Sequence, residues 1–191
     1  MHLQPAPRPR IINGEDVKEL RYPYFSLMYG RSLCGGVLIA PRLVLGAAHC
    51  EDAADLFRIG LFEDIRDGQY VDIRNTFVHP EYRRTNLSYD VMIFELDKVA
   101  EFPYVILERE TISEGKFTVL GFGDTDKGSP LELSDELQEV QLEYVDNAAC
   151  DKGHGYTGEV TEDMMCVGGN DKDSCIGKSK QPVVLILGAI F

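Results

Sequence analysis

Leu45-Gly46-Ala47-Ala48-His49-Cys50 places a histidine between small residues and a cysteine, just after an apolar run. A histidine can act as a general base near neutral pH, because its unperturbed pKa lies close to that pH. It also needs a fixed orientation and a nucleophile within reach. A single histidine is more often a structural or surface residue, so the partners of His49 have to be found before a function is assigned.

The residues upstream of His49 form a longer pattern. Cys34-Gly35-Gly36-Val37-Leu38-Ile39-Ala40 is followed, after Pro41, by the continuous stretch from Arg42 to Cys50. This cysteine–histidine–cysteine pattern resembles the trypsin/chymotrypsin-like serine proteases. The resemblance implies that His49 is the catalytic histidine of such an enzyme.

Length and charge bound the class of protein. The 191 residues are enough for one large domain or two small ones with a real core. Acidic residues exceed basic ones by 32 − 19 = 13. This acidic balance argues against a nucleic-acid partner, and solubility is its simplest meaning.

The cysteines indicate disulfides. Two pairs have the same separation, 50 − 34 = 166 − 150 = 16, within turn-rich sequence, and a fifth cysteine is left over. Reduced cytosolic thiols are the alternative, but the spacing favours local bridges and therefore an oxidising, extracellular compartment. The five positions are Cys34, Cys50, Cys150, Cys166 and Cys175.

The two ends of the chain carry little targeting information. Residues 1–10 have no apolar run of the kind a secretory signal contains, so a signal lies upstream or the chain is not secreted as written. The apolar tail Val183–Phe191 has nine residues, too few to span a membrane. It is interpreted as a strand or as exposed sequence.

Period-two alternation predicts strands. Val37 and Ile39, then Leu43 and Leu45, fall on one face, and Leu137–Val145 is the clearest strand of the second half. No long helix is required, which favours an antiparallel barrel or sandwich. The family resemblance implies two six-stranded antiparallel barrels of the chymotrypsin type. We expect the second to be truncated, with an activation-peptide remnant at 1–10, a first lobe at 11–104 and an incomplete second lobe at 105–191.

Asp90 stands at the entry to the apolar stretch Val91–Leu96. An aspartate there is usually a turn former. In the family, the matching segment carries the aspartate that orients the histidine and stabilises the imidazolium. The resemblance therefore implies this role for Asp90.

Arg10 precedes Ile11-Ile12-Asn13-Gly14. A basic residue before an apolar strand is common. In the family, cleavage at such a bond frees an amine that buries itself and activates a zymogen. The resemblance implies that Arg10–Ile11 is the activation bond.

The last part of the chain carries the remaining site residues. The resemblance places Asp173 at the base of a pocket for arginine or lysine side chains. An acidic loop is the alternative, but the nearness of Cys175 favours the pocket. It places Ser179 at the nucleophile, and the N–H groups of Gly177 and Ser179 at the oxyanion hole. Lys178 stands where the family has the aspartate that receives the new amine, and a lysine there repels that amine.

The function implied is extracellular hydrolysis of peptide bonds after arginine or lysine, with no metal or organic cofactor. A protein or peptide is the substrate, and a protein protease inhibitor is a further candidate partner. The alternative is a catalytically inactive homologue that acts as a binding module. It includes a mis-spliced product in which Lys178–Phe191 is translated intron, since a Gly-Lys pair can be encoded across a splice-donor-like sequence.

Overall fold

The computed structural model describes residues 15–18, 21–31, 33–53, 55–60, 68–109, 112–122, 136–153 and 160–168. These residues are almost all β-structure. The strands are β1 (Glu15–Asp16), β2 (Phe25–Tyr29), β3 (Leu33–Ala40), β4 (Leu43–Gly46), β5 (Leu56–Ile59), β6 (Gln69–Val78), β7 (Met92–Leu96), β8 (Lys116–Gly121), β9 (Gln138–Val145) and β10 (Cys166–Gly168). The described helices are a 3-10 helix, Ala48–Cys50, and α1, Asn147–Gly153.

Six of these strands close into an antiparallel barrel in the order β2-β3-β4-β7-β6-β5. Its interior is filled by alternate, fully buried side chains that include Met28, Leu38, Val44, Phe57 and Phe94. The rings of Phe57 and Phe94 meet edge to face with centroids 5.0 Å apart. Burying a side chain of this size stabilises the fold by about 1.5–3 kcal/mol, so the barrel interior is the main source of stability in the first lobe.

The outer face of the barrel is also apolar where the chain leaves it. Val37, Ile39 and Leu45 form one cluster with Val105 and Leu107 of the connecting segment. The alternation in the sequence correctly put the first three on one face. The connecting segment therefore covers the side of the sheet that faces away from the barrel interior.

The second lobe is a smaller sheet built around β9. β8 pairs along Gln138–Glu143, while β10 pairs with Glu143–Val145 and β1 with Gln138–Glu139. Val140 and Leu142 are buried and Gln141 and Glu143 exposed, as the alternation predicted. The all-β, chymotrypsin-type fold is confirmed, with a closed barrel followed by a second antiparallel sheet.

An apolar layer joins the two lobes. Phe25 and Leu27 of β2 pack against Leu120, Phe122 and Leu137. The Phe25 and Phe122 rings have centroids 6.1 Å apart, and Phe122 is 2% exposed. Phe122 is therefore a buried aromatic in the layer between the two lobes.

The first described residues are tied to β9 by polar side chains. Gln138 donates to Asp16 at 2.7 Å, and Arg21 forms an ion pair with Glu139 at 2.5 Å. The Tyr22 hydroxyl donates to the same Glu139 carboxylate. Burial, with the Glu139 hydrogen bond and charge, raises the pKa of Tyr22 to about 12.

Gly36 is required by the packing of the barrel. A Cβ at this position would lie 2.7 Å from Val44 Cγ1 and 3.0 Å from the Leu45 carbonyl oxygen. A side chain there would push β4 away from β3, and His49 follows β4. The glycine thus permits a close approach of the two strands that a side chain would block.

No helix in the described part of the chain is long and apolar enough to cross a lipid bilayer.

Candidate active site

Strand pairing brings His49 and Asp90 together although they are 41 residues apart. β4 and β7 are antiparallel neighbours, with Gly46 opposite Met92. The residues that follow β4 and those that precede β7 therefore emerge at the same edge of the barrel. His49 lies on the 3-10 helix just after β4, and Asp90 lies just before β7.

Two hydrogen bonds join these residues. Asp90 Oδ2 lies 2.6 Å from His49 Nδ1, and Asp90 Oδ1 accepts from the backbone N–H of His49 at 2.8 Å. The Asp90 side chain is 5% exposed and that of His49 is 39% exposed. The buried carboxylate thus has a partner for each oxygen, while the imidazole stays accessible from solvent.

The geometry determines the protonation pattern of the imidazole. An ionised carboxylate can only accept, so Nδ1 of His49 carries the shared proton. Nε2 is then the ring nitrogen that can take a proton from a substrate or a nucleophile. A carboxylate fixed in this way also stabilises the imidazolium that forms on proton transfer. This pair can act as a general base.

A disulfide fixes the 3-10 helix that carries His49. Cys34 of β3 is bonded to Cys50, and the second predicted bridge, Cys150–Cys166, is formed as well. Potential metal-ligating atoms of Cys34, His49 and Cys50 lie within 4.8 Å of one another. Their closeness is explained by the disulfide, since the bonded sulfurs are not available as the thiolates that a metal would need.

The turn before Asp90 is held by the second lobe. Tyr89 has a positive φ of 53°, and its backbone N–H donates to Asp163 Oδ2 at 2.6 Å. The Ser88 hydroxyl donates to Thr161 Oγ1 at 3.3 Å. A non-glycine residue in the left-handed region costs about 1–3 kcal/mol and persists only where its surroundings hold it. These two contacts supply that support.

The Thr161–Asp163 turn is itself fixed from α1. The Asn147 side chain donates to the carbonyl oxygens of Thr161 and Met164, at 3.2 and 2.7 Å. Asn147 lies three residues before Cys150 of the second disulfide. A continuous set of contacts therefore runs from this disulfide through the turn to the residue beside Asp90. Sequence reasoning missed it, because no local pattern marks contacts between two lobes.

Tyr82 is a further neighbour of Asp90. Burial raises the pKa of Tyr82, and the negative charge of Asp90 raises it further. Its hydroxyl oxygen is buried without a hydrogen-bond partner among the described residues. Tyr82 therefore stays a neutral phenol beside the carboxylate. No pattern in the sequence marked Tyr82 beyond its being an aromatic residue in a loop.

The remaining predicted site residues are Arg10, Ile11, Asp173, Cys175, Gly177 and Ser179, and all of them lie outside the described residues. Their assignments stay predictions. The structure brings together His49, Asp90 and the Cys34–Cys50 bridge.

Comparison with known proteins shows which family this chain belongs to. The sequence model of the family described as Trypsin matches residues 11–190. The chain belongs to the trypsin family of serine proteases. It is 32% identical to renal glandular kallikrein of Mastomys natalensis, over 94% of this chain and 77% of the relative. Glandular kallikrein of Sus scrofa is 31% identical over 94% and 82% of the two chains.

Other relatives agree with this assignment. Trypsin-3 of Salmo salar is 32% identical, over 92% of this trypsin-family chain and 77% of the relative. A solved structure described as "Structure of GrC" superposes with a TM-score of 0.72 at 22% identity, covering 84% of this chain and 76% of the other. That identity supports a shared fold. Membership of the family implies a hydrolase of the trypsin type that acts on proteins.

Proposed function

We propose that this chain is an extracellular endopeptidase that hydrolyses peptide bonds after arginine or lysine, with Ser179 as its nucleophile. The observation that carries the proposal is the 2.6 Å contact between His49 Nδ1 and Asp90 Oδ2. A buried carboxylate that orients a solvent-accessible imidazole is what a hydroxyl nucleophile needs for activation. The family match supports Ser179 as that nucleophile, because it continues to residue 190.

The reaction follows from these assignments. His49 Nε2 takes the hydroxyl proton of Ser179 as the oxygen attacks the scissile carbonyl carbon. The imidazolium is stabilised by Asp90, and the oxyanion is bound by the backbone N–H groups of Gly177 and Ser179. His49 then returns the proton to the leaving amine. Water repeats the sequence on the acyl-enzyme and releases the second product.

Specificity for basic side chains is assigned to Asp173. A carboxylate at the base of a pocket forms charge-assisted hydrogen bonds with a guanidinium or ammonium group. Its position two residues before Cys175 supports this assignment by family resemblance. The same cleft would take a protein protease inhibitor that presents an arginine or lysine.

Activation is assigned to cleavage of the Arg10–Ile11 bond, since the family match begins at Ile11. An extracellular location is supported by the two disulfides, which persist in oxidising compartments. The chain is therefore proposed to be made as a zymogen and to act outside the cell.

Ester hydrolysis after cleavage at Arg10 tests this specificity. Arginine and lysine esters should be turned over and phenylalanine and aspartate esters should not. Asp173→Asn should lower kcat/KM for the arginine ester about 10- to 100-fold, since a hydrogen bond to a charged group is worth about 1.5–3 kcal/mol. Asp171→Asn, at a neighbouring aspartate, is the matched control. Equal losses of kcat/KM in both variants would show that Asp173 is not the residue that recognises the basic side chain.

A second candidate function is favoured by Lys178. This residue stands where the family resemblance expects the acid that pairs with the new N-terminal amine. An uncompensated buried charge is strongly destabilising, so an inactive homologue that binds proteins is the alternative. Lys178→Asp separates the two. A large gain of ester hydrolysis from an inactive parent supports the binding module, whereas an active parent supports the protease.

A further inference from the structure

The hairpin between β6 and β7 contains Asn86-Leu87-Ser88. This is an Asn-x-Ser sequence with no proline in the middle, the pattern that accepts N-linked oligosaccharides. The other asparagines of the chain are Asn13, Asn75, Asn147 and Asn170, and none has serine or threonine two residues later. The sequence therefore offers a single acceptor of this kind.

The structure presents the acceptor to solvent. A bridge between Arg83 and Ser88 closes the hairpin, and the four residues between them are all exposed. Asn86 is one of these tip residues. Its Oδ1 accepts from the backbone N–H of Ser88 at 3.3 Å, which holds the side chain on its own loop. An exposed side chain at a loop tip is where a bulky sugar can be attached.

We propose that Asn86 is an N-glycosylation site. The amide nitrogen of Asn86 attacks the anomeric carbon of an oligosaccharide carried on a lipid pyrophosphate. The carbon–oxygen bond to the pyrophosphate breaks, a carbon–nitrogen bond forms, and one amide proton is lost. The lipid pyrophosphate leaves with the electron pair, so the step needs no oxidant or reductant. Entry of the chain into the secretory pathway rests on the proposed extracellular location.

The two ends of the acceptor sequence have different environments. Asn86 is exposed, but Ser88 is 5% exposed and its hydroxyl donates to Thr161 Oγ1 of the second lobe. A transferase that recognises the serine hydroxyl cannot reach it after the lobes have closed. The sugar must therefore be added during synthesis, before Ser88 meets Thr161.

The position of the sugar gives it a consequence for the site. The hairpin ends on Asp90, which contacts His49, and Tyr89 in the same hairpin is bound by Asp163. A sugar at Asn86 would stand beside the approach to His49. It would hinder large protein substrates and inhibitors and leave small esters unaffected.

Expression of the full chain behind a cleavable secretory leader in cultured eukaryotic cells tests the site. Cell-associated and secreted protein are analysed together, so that a folding failure does not hide the result. Wild type should run as a heavier species that shifts down to the mobility of Asn86→Asp after treatment with peptide-N-glycosidase. Asn86→Asp keeps an oxygen acceptor for the Ser88 N–H and lacks the amide nitrogen that would carry the sugar. Identical mobility of untreated wild type and Asn86→Asp would overturn the proposal.

Variants of Ser88 provide the matched control. Ser88→Thr should keep the shift, since it keeps both the acceptor sequence and a hydroxyl for Thr161. Ser88→Ala should lose it. Folded, unglycosylated protein incubated with a transferase and its lipid-linked donor should stay unmodified. Modification of the folded protein would contradict the inference that the sugar is added before Ser88 meets Thr161.

Kinetics then test the shielding effect separately from the protease assignment. The ratio of kcat/KM for a folded protein substrate to that for a small arginine ester should rise in Asn86→Asp. An unchanged ratio would overturn the shielding role. A glycosylated chain that hydrolyses neither substrate would instead contradict the proposed function and leave the modification site in place.

Discussion

Asp163 of the second lobe accepts a hydrogen bond from the backbone N–H of Tyr89 at 2.6 Å, one residue before Asp90. The acid that orients His49 therefore depends on a contact from the other lobe. Asp163→Ala removes this acceptor from a residue with φ of 53°. We expect kcat for an arginine ester to fall up to about tenfold, because a net hydrogen bond is worth about 0.5–1.5 kcal/mol.

The controls distinguish positioning from general destabilisation. Asp163→Asn keeps an oxygen acceptor and should recover most of the loss, and Glu162→Ala changes an exposed neighbour. The effect should appear in kcat with little change in KM. The downfield proton resonance of the His49–Asp90 hydrogen bond should also broaden in Asp163→Ala. If Asp163→Ala behaves as Glu162→Ala does, Asp163 has no positioning role.

Asp90→Asn should abolish most of the activity without unfolding the chain. An amide at residue 90 can present N–H to His49 Nδ1 and so favours the wrong tautomer. In the protease triad from which the magnitude comes, the equivalent change lowers kcat about 10⁴-fold. The exposed Asp72→Asn is the control for loss of a carboxylate. Retained ester hydrolysis in Asp90→Asn would show that the contact with His49 is not catalytic.

Tyr22 should make the free energy of unfolding depend on pH in the alkaline range. Its pKa is raised from the ordinary value of 10.0 to about 12 in the folded chain, mainly by burial and then by Glu139. The unfolded chain therefore loses this proton first. The stabilisation that Tyr22 gives the folded chain is fully present below pH 10 and is lost as the pH rises through 12.

Urea unfolding of wild type and Tyr22→Phe between pH 8 and 12 measures this dependence. The stability difference between the two should be constant at the lower end and shrink towards the upper end. Tyr70→Phe, at a tyrosine whose side chain is 52% exposed, gives the baseline for a lost hydroxyl. A difference that does not change with pH would show that Tyr22 ionises as it does in the unfolded chain.

Two glycines allow backbone strain to be separated from steric collision. A Cβ at Gly60, where φ is +74°, would lie 2.2 Å from ring carbons of Phe102. Gly115 has φ of +108°, and a Cβ there would meet nothing within 4 Å. Both alanine variants lose about 1–2 kcal/mol from the backbone. Gly60→Ala should lose a further 1–3 kcal/mol, roughly, from overpacking.

The urea concentrations at the unfolding midpoints, fitted with the same denaturant dependence for both variants, measure the two losses of stability. Gly60→Ala should unfold at a clearly lower urea concentration than Gly115→Ala. Equal midpoints would mean that the Phe102 ring moves aside without cost.

The strands and the disulfides were predictable because their signals are local. Alternation in Leu137–Val145 predicted β9, and the equal spacing of two cysteine pairs predicted the bridge beside His49. The role of His49 was assigned through family resemblance. Asp90 could be assigned only through family resemblance, since an aspartate before a strand is usually a turn former.

Contacts between segments that are distant in the chain could not be predicted from local sequence patterns. Nothing near Asp163 marks it as a partner of Tyr89, and nothing near Glu139 marks it as a partner of Tyr22. Such pairs are set by how the two lobes pack, which leaves no periodicity in either segment. The short helix α1 was not predicted either, because its seven residues carry no helical periodicity.

Covalent labelling of Ser179 is the most direct test that this chain is a serine protease. After cleavage at Arg10–Ile11, the chain is treated with an arginine-like phosphonate that reacts with activated serines, and the modified peptide is identified by mass spectrometry. We expect labelling at Ser179, lost in Ser179→Ala and strongly reduced in His49→Ala and Asp90→Asn. A correctly cleaved, cooperatively folding chain that takes up no label would contradict the protease assignment. The chain would then be an inactive homologue that binds proteins.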